Sequence, residues 1–230
     1  MPYSAKDKFY IAVDCVIFGF DGEDLKLLVC KREIEPEKGK WSLMGGFLRA
    51  EETLDEAAYR VLARITGLRN IYMEQLYTFS AIDRDSEDRV ISTAYYSLIN
   101  IKDYKPDVLK KHGVEWLSLS QLPQLIFDHD EMVSKALKRL KARATNQPIG
   151  FELLPENFTI TQLRNLYSAI YQRNLDPANF RRKLMSMDLL DQLPIKEKNG
   201  SKKGAYLFSF NKQKYETLMS NGFAFDLSGV

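Results

Sequence analysis

The chain has 230 residues, of which 45% are hydrophobic and 28% are charged, and its formal net charge is +2. This length suits a larger domain with a smaller one, and this balance excludes a disordered, collagen-like or fibrous chain. No apolar run approaches the ~20 residues of a membrane helix, no signal peptide is visible, and two cysteines cannot form a disulfide framework, so we expect a soluble, cytoplasmic protein.

The first part of the chain has the pattern of a mixed α/β domain. Apolar and β-branched runs predict strands at Phe9–Phe20, Leu25–Arg32, Tyr72–Ile82, Val90–Ile101 and Val114–Leu117. Apolar residues that recur at spacings of three and four from Leu54 to Ile65 predict a helix, with Gly67 as its C-cap. A second helix is predicted from Glu131 to about Ala144.

The pattern changes at the polar segment 146–150, which contains Pro and Gly, and we place a domain boundary between residues 148 and 149. The elements predicted beyond it are a helix at Thr161–Tyr171, a helix that starts at Asp176-Pro177, and a hairpin of residues 193–198 and 205–210. Two short helices and a hairpin with lysines at its turn are typical of a winged helix-turn-helix domain. Its third helix would come from Lys212–Ser220 or from the helix that ends near Ala144.

Basic residues are concentrated in this second part. Residues 150–230 carry 11 lysines and arginines against 8 acidic residues, and residues 173–214 carry 10 against 4. Such a segment is either a solvated surface or a surface that contacts a polyanion such as nucleic acid.

One long motif of the first part resembles the Nudix signature. The signature is Gly, five residues, Glu, seven residues, and then Arg-Glu-apolar-x-Glu-Glu-x-Gly-apolar. Gly46, Glu52 and Arg60 occupy its first fixed positions, and Gly67 with Leu68 closes it. The resemblance implies a Nudix-like α/β/α sandwich with a mixed sheet.

The departures from this signature bear on catalysis. In Nudix hydrolases three further glutamates bind the divalent metals, whereas this chain has Val61, Arg64 and Ile65 there. Mg²⁺ needs oxygen ligands, which these side chains do not supply. Three carboxylates remain on one edge of the helix, those of Glu52, Asp55 and Glu56. They leave a rearranged metal site open, but an acidic first turn that complements the helix dipole also accounts for them. We therefore expect a non-enzyme with no catalytic residues, metal or cofactor.

A degenerate Nudix domain followed by a winged helix resembles the Nudix-related transcriptional regulators. The stretches that carry this likeness include Gly150–Pro155, Phe158–Leu163, Asn179–Leu184, Asp83–Asp85 and Phe127–His129. The resemblance implies an effector-binding domain at residues 1–148 and a winged helix-turn-helix DNA-binding domain at residues 149–230. Within the family the chain is most similar to the arabinose-responsive regulators of sugar utilisation that are typical of Bacteroidetes, while another branch controls NAD metabolism and senses ADP-ribose.

The main expectation is therefore a repressor of carbohydrate catabolic genes, of the pentose or arabinose type. Two alternatives stay open: an ADP-ribose-responsive regulator of NAD metabolism, and a residual Nudix hydrolase of nucleotide-sugar diphosphates. The implied partners are double-stranded operator DNA, a small effector (an L-arabinose-like sugar or an ADP-ribose-like nucleotide) and a second copy of the chain in a homodimer.

The helix Pro177–Met187 is expected to enter the major groove of DNA. Arg182 and Arg181 have the chemistry for bidentate contacts to guanine, and the hairpin lysines would contact phosphates. The candidate DNA-binding residues are Thr161, Gln162, Asn179, Arg181, Arg182, Lys183, Ser186, Lys196, Lys198, Lys202 and Lys203.

The effector is expected in the pocket that would hold the substrate of a hydrolase. The candidate effector-binding residues are Arg32, Trp41, Gly45, Gly46, Asp83, Arg84, Tyr95 and His129. Trp41 has a ring that would stack on a sugar, while Asp83 and His129 have the chemistry to hydrogen-bond hydroxyl groups. Trp41 as a core residue and His129 as a loop residue remain the alternatives.

Overall fold

The computed structural model describes residues 8–104, 109, 113–198 and 204–230. These residues form two compact units: the first contains residues 8–19 and 26–137, and the second contains residues 20–25 and 138–230. The division at 137/138 falls inside a helix, whereas the sequence predicts a boundary at 148/149. Within the described ranges, every helix is too short or too polar to span a bilayer.

The first unit is built on a mixed sheet, as the sequence predicts. Its strands are β1 (Tyr10–Phe20), β2 (Leu25–Lys31), β3 (Trp41–Ser42), β4 (Met44–Phe47), β5 (Glu74–Phe79), β6 (Val90–Asn100) and β7 (Val114–Ser118). The strand order is β3-β2-β1-β6-β5, with β4 paired to β1 and β7 paired to β2. The short strands β3 and β4 were not predicted, because two and four residues carry no periodicity of their own and are defined by their partners on β2 and β1.

Helix α1 (Leu54–Thr66) lies in the Nudix-like motif, and local sequence explains both of its ends. Thr53 and Glu56 form a reciprocal capping box at its start. Gly67 ends it at a φ of 74°, in the left-handed region that favours glycine, as the sequence predicts. Its apolar face, which includes Ala57 and Val61, packs into the hydrophobic core.

The second unit is a winged helix domain, as expected. Its elements are the end of α2 (His129–Asn146), α3 (Ile160–Tyr171), α4 (Pro177–Ser186), β8 (Leu190–Glu197), β9 (Ala205–Phe210) and α5 (Lys212–Ser220). Strands β8 and β9 form the antiparallel hairpin. Asp176 caps α4 through the amide of Asn179, and Pro177 is its first residue.

Of the two candidates for the third helix, the end of α2 is the one packed into this unit. Ala144 is fully buried, and the hydroxyl of Thr145 lies 3.2 Å from that of Tyr171 on α3. Helix α5, by contrast, has no buried residue. The core of the second unit therefore combines α3 and α4 with the end of α2.

Candidate functional site

The signature pair Glu52 and Arg60 holds the loop before α1 against the helix. Nε of Arg60 donates a 2.7 Å hydrogen bond to Glu52, and Nη2 donates a 2.9 Å bond to the carbonyl of Phe47. The hydrogen bond from Arg60 lowers the pKa of Glu52 to about 2. The carboxylate is therefore committed to an intramolecular ion pair.

The other two carboxylates on this edge of the helix, those of Asp55 and Glu56, also have local partners, so this donor set does not fit a Nudix metal cluster. Asp55 accepts a 2.5 Å hydrogen bond from the hydroxyl of Tyr95. Glu56 accepts the amide of Thr53, which lowers the pKa of Glu56. Within the described part of the chain, no three His, Cys, Asp or Glu side chains are grouped to hold a metal ion.

The positions that depart from the signature are filled by hydrocarbon and by a cation. Val61 is fully buried, and a Cβ placed on Gly46 would lie 2.8 Å from its Cγ2 atom. The same Cβ would lie 3.7 Å from Nη2 of Arg64. A divalent metal would meet a methyl group and a guanidinium there instead of carboxylates.

A buried polar cluster lies at the other side of the same strands. Asp14 on β1 is 5% exposed and accepts a 2.6 Å hydrogen bond from Ser92 on β6. Arg84 donates to both carboxylate oxygens of Asp128, at 2.8 and 2.7 Å, and its Nη2 lies 3.8 Å from Asp14. One buried cation therefore lies between two carboxylates.

His129 completes this cluster as a neutral imidazole. Its Nδ1 accepts the amide of Leu43 at 3.1 Å, which places the proton on Nε2, 3.5 Å from Asp14. Burial lowers the pKa of His129. The absence of a side chain at Gly45 leaves space for the carboxylate of Asp14, because a Cβ on residue 45 would lie 2.2 Å from Oδ1 of Asp14.

A cavity of about 540 Å³ opens beside this cluster. It is lined by Glu37, Tyr77, Thr78, Phe79, Ser80, Ala81, Asp83, Arg84, Ser86, Phe127, Asp128 and Glu131. Four of these side chains are acidic and one is basic, and the basic one, Arg84, is already paired. Phe127 has a φ of 52°, a strained conformation for an aromatic residue that is frequent at ligand sites.

Five of the predicted effector residues lie at this cavity or its polar cluster. Asp83 and Arg84 line the cavity, Gly45 and His129 contact Asp14 as described, and the guanidinium of Arg32 lies 5.2 Å from the ring of Phe127.

The other three lie elsewhere. Trp41 is half-buried under the ammonium of Lys31, 3.7 Å from the ring centre. Gly46 packs on Val61, and Tyr95 is a core residue. None of these three residues lines this cavity or the second cavity, of about 650 Å³, at the end of α1.

Asp14 and Asp128 hold the polar cluster together, but neither is among the effector-binding residues predicted from the sequence. A signal was present for Asp14, because it is a lone charge inside the apolar run of β1. Burying such a charge is costly unless it is paired. Its partner Ser92 is separated from it by 78 positions, which the sequence pattern does not connect.

The predicted groove-entering helix, α4, turns a polar face outward. Arg181, Arg182 and Ser186 are exposed, while Phe180 and Leu184 are buried. Arg182 donates a 2.6 Å hydrogen bond to Asn179, whose amide in turn donates to the carbonyl of Gly229.

The remaining predicted DNA contacts have different environments. Thr161 is exposed, but the side chain of Gln162 closes a capping box with Thr159 at the start of α3. On the hairpin, the ammonium of Lys196 lies 4.3 Å from the ring of Tyr206, and Lys198 is exposed. Lys202 and Lys203 lie outside the described residues.

Comparison with known proteins gives matches for both units. A NUDIX domain matches residues 8–138, and an NrtR DNA-binding winged helix domain matches residues 150–210. The ADPR-responsive transcriptional repressor NtrR of Acinetobacter baylyi is 31% identical over 210 residues, or 90% of this chain and 84% of that protein. An ADP-ribose pyrophosphatase of Methanocaldococcus jannaschii is 31% identical over 133 residues, or 58% of this chain and 78% of that protein.

Solved structures show the same combination of domains. Shewanella oneidensis NrtR complexed with a 27mer DNA aligns with a TM-score of 0.72 and 28% identity, over 87% of this chain and 93% of that chain. The NUDIX domain of the same regulator, complexed with ADP ribose, aligns with a TM-score of 0.53 and 30% identity, over 60% of this chain and 94% of that chain.

Proposed function

Because this chain belongs to the NrtR family of DNA-binding transcriptional regulators with a Nudix domain, we propose that it is a repressor that responds to an ADP-ribose-like nucleotide. The observation that carries the proposal is the 31% identity, over 90% of the chain, to a repressor named for its response to ADP-ribose. The sequence favours the sugar-responsive branch, but the relatives support the ADP-ribose alternative better.

The proposed effector site is the cavity beside Arg84, and the proposed DNA surface is the outer face of α4 together with the hairpin. Tyr77 and Phe127 line the cavity with aromatic rings suited to a nucleobase. Arg182, on the exposed face of α4, is the candidate for base recognition.

One observation favours a neutral polyhydroxyl ligand as a second candidate. The cavity lining has four carboxylates and one cation, and three of the carboxylates have a cationic neighbour: Asp128 has Arg84, Glu37 has Lys40, and Glu131 has Lys135 at 3.9 Å. The lining itself therefore carries more negative than positive charge, with Asp83 as its carboxylate farthest from compensation by these pairs. Carboxylates accept hydrogen bonds from sugar hydroxyls but repel a diphosphate. An L-arabinose-like sugar therefore remains the alternative effector.

The first experiment measures fluorescence anisotropy of a duplex from the upstream region of the protein's own gene. It is run with no ligand, with ADP-ribose and with L-arabinose, at two salt concentrations. We expect tight, salt-sensitive binding that ADP-ribose alone changes, in either direction. A change with arabinose alone would replace the proposed effector, and no specific binding to any upstream duplex would contradict the regulator.

A single substitution should change the affinities for the two candidate effectors in opposite directions. Glu131→Gln removes one negative charge from the cavity lining while keeping an acceptor oxygen. An anionic nucleotide should then bind about two- to fivefold more tightly, from roughly 0.5–1 kcal/mol of relieved repulsion, whereas a neutral sugar should bind more weakly. Glu115→Gln, an exposed position on β7 away from the cavity, is the matched control.

The proposal includes the absence of hydrolysis, because the Nudix metal positions hold Val61, Arg64 and Ile65. Incubation with ADP-ribose and Mg²⁺ or Mn²⁺ should release no product. Turnover that Glu52→Gln abolishes would instead establish the residual hydrolase, the class of the relative from Methanocaldococcus jannaschii.

A homodimer belongs to the same proposal, since operators usually have two-fold symmetry and a dimer matches two half-sites. Light scattering coupled to gel filtration should give twice the mass of the chain. A monomer at the concentration that binds operator would contradict it.

A further inference from the structure

Residues 221–230, which we call the C-terminal segment, pack against the helices of the second unit. The side chains of Phe225, Leu227 and Val230 are buried, at 3%, 1% and 7% exposure. The amide of Leu227 donates a 2.9 Å hydrogen bond to the carbonyl of Thr145 at the end of α2. The segment therefore has a defined position in this unit.

This position brings three oxygen atoms of the segment to side chains on and beside α4. Nζ of Lys183 lies 3.0 Å from Oδ2 of Asp226. The side-chain amide of Asn179 donates a 3.0 Å hydrogen bond from Nδ2 to the carbonyl of Gly229. Arg173, which precedes α4, donates to the carbonyl of Val230.

The donors lie next to the face of α4 that would enter the groove. With 100° between successive helical residues, Asn179 and Lys183 lie on one flank of the outward face that carries Arg182. Phe180 and Leu184 fix the opposite, buried face. The segment therefore covers one edge of the proposed DNA surface and leaves Arg182 exposed.

The acceptors resemble those of a DNA backbone. Hydrogen bonds from Ser228 and Lys183 lower the pKa of Asp226 to about 2, so its carboxylate is charged at neutral pH. The carboxylate of Asp226 accepts from the ammonium of Lys183, and the carbonyl of Gly229 accepts from the side-chain amide of Asn179. A phosphate oxygen would accept from the same two donors.

We propose that the C-terminal segment competes with the DNA backbone for Lys183, Asn179 and Arg173, and so holds the affinity of the winged helix below its full value. Asp226 supplies the competing charge. The proposal rests on the DNA binding of the family and is independent of which effector the first unit takes.

The test is the affinity of full-length Asp226→Asn for an upstream duplex and for a scrambled duplex of equal length. Freeing Lys183 for one phosphate should tighten both complexes about five- to tenfold at 0.1 M salt and steepen the slope of log K against log salt by about 0.9. Glu216→Gln is the matched control: it is an exposed acid on α5, also paired with a lysine, and it makes the same change in net charge.

A double-variant cycle then locates the effect. In a Lys183→Met background, Asp226→Asn should give no further gain, because the lysine that it frees is gone. If Asp226→Asn binds no more tightly than Glu216→Gln, or if the gain persists without Lys183, the proposal is overturned and DNA binding stands. If the wild-type protein binds no duplex even at about 50 mM salt, DNA binding itself fails and the proposal fails with it.

Discussion

The buried guanidinium of Arg84 offers a sharp test of how the first unit is stabilised. Arg84→Leu removes the only cation that contacts both Asp14 and Asp128 among the described residues. Leucine fills much of the space but leaves two carboxylates close together, with the side chain of Asp14 7% exposed and that of Asp128 16% exposed. The variant should therefore be much less stable at neutral pH.

Removing one partner of a buried ion pair costs roughly 3–5 kcal/mol. Because Asp128 keeps some contact with water, we expect the lower end, about 3 kcal/mol, which corresponds to a fall in Tm of roughly 6–12 °C for a unit of this size. Urea denaturation followed by tryptophan fluorescence measures this loss directly. Both tryptophans of the chain, Trp41 and Trp116, lie in the first unit, so their emission reports on it alone.

Arg89→Leu is the matched control. Arg89 is half-buried, but its guanidinium donates to the neutral carbonyls of Ser80 and Ala81 and lies over the ring of Phe9 rather than beside a carboxylate in the described part of the chain. Its loss should cost about 1 kcal/mol. Equal losses for Arg84→Leu and Arg89→Leu would refute the assignment of a large stabilising role to the charge cluster.

Three further predictions concern single contacts. His129→Asn should flatten the pH dependence of unfolding. Burial lowers the pKa of His129 below 6.5, so as the pH falls the unfolded state takes up the proton first, and the wild type loses up to about 1.4 kcal/mol of stability per pH unit below that value. Urea midpoints of wild type and variant at pH 7.5 and 5.5 would detect the difference. Gly46→Ala should cost about 1–3 kcal/mol of stability in thermal unfolding. If the 2.8 Å approach to Val61 is the cause, adding Val61→Ala to the Gly46→Ala variant should recover part of that loss. Tyr95→Phe should cost about 0.5–1.5 kcal/mol, since Asp55 loses its donor but stays exposed to water. The Asp55→Ala/Tyr95→Phe pair should then be less than additive.

Features set by neighbouring residues were predictable from the sequence. The C-cap at Gly67 and the helix start at Asp176-Pro177 depend on backbone preferences that act within one turn. The Nudix spacing depends on a long motif, and its departures at Val61 and Arg64 are visible without a structure. These features fix the fold class and the loss of the metal ligands.

Features set by distant contacts were not predictable in the same way. The environment of Asp14 comes from Ser92, Arg84 and His129, which lie on other elements. The placement of Tyr95 in the core rather than in the cavity depends on how β6 faces α1. Residues 221–230 have no helical or alternating pattern, so only the folded chain relates them to α4.

The contact between Gly46 and Val61 determines what restoring a metal ligand of the signature would require. Val61→Glu would restore a carboxylate to the signature, but at a position that is now fully buried. The guanidinium of Arg64 lies beside that position and would pair with the carboxylate in place of a metal. Restoring the metal ligands of the signature would therefore require replacing Arg64 and repacking the core around residue 61. The same contact makes glycine necessary at residue 46 for packing alone, because Val61 occupies the space that a side chain would need.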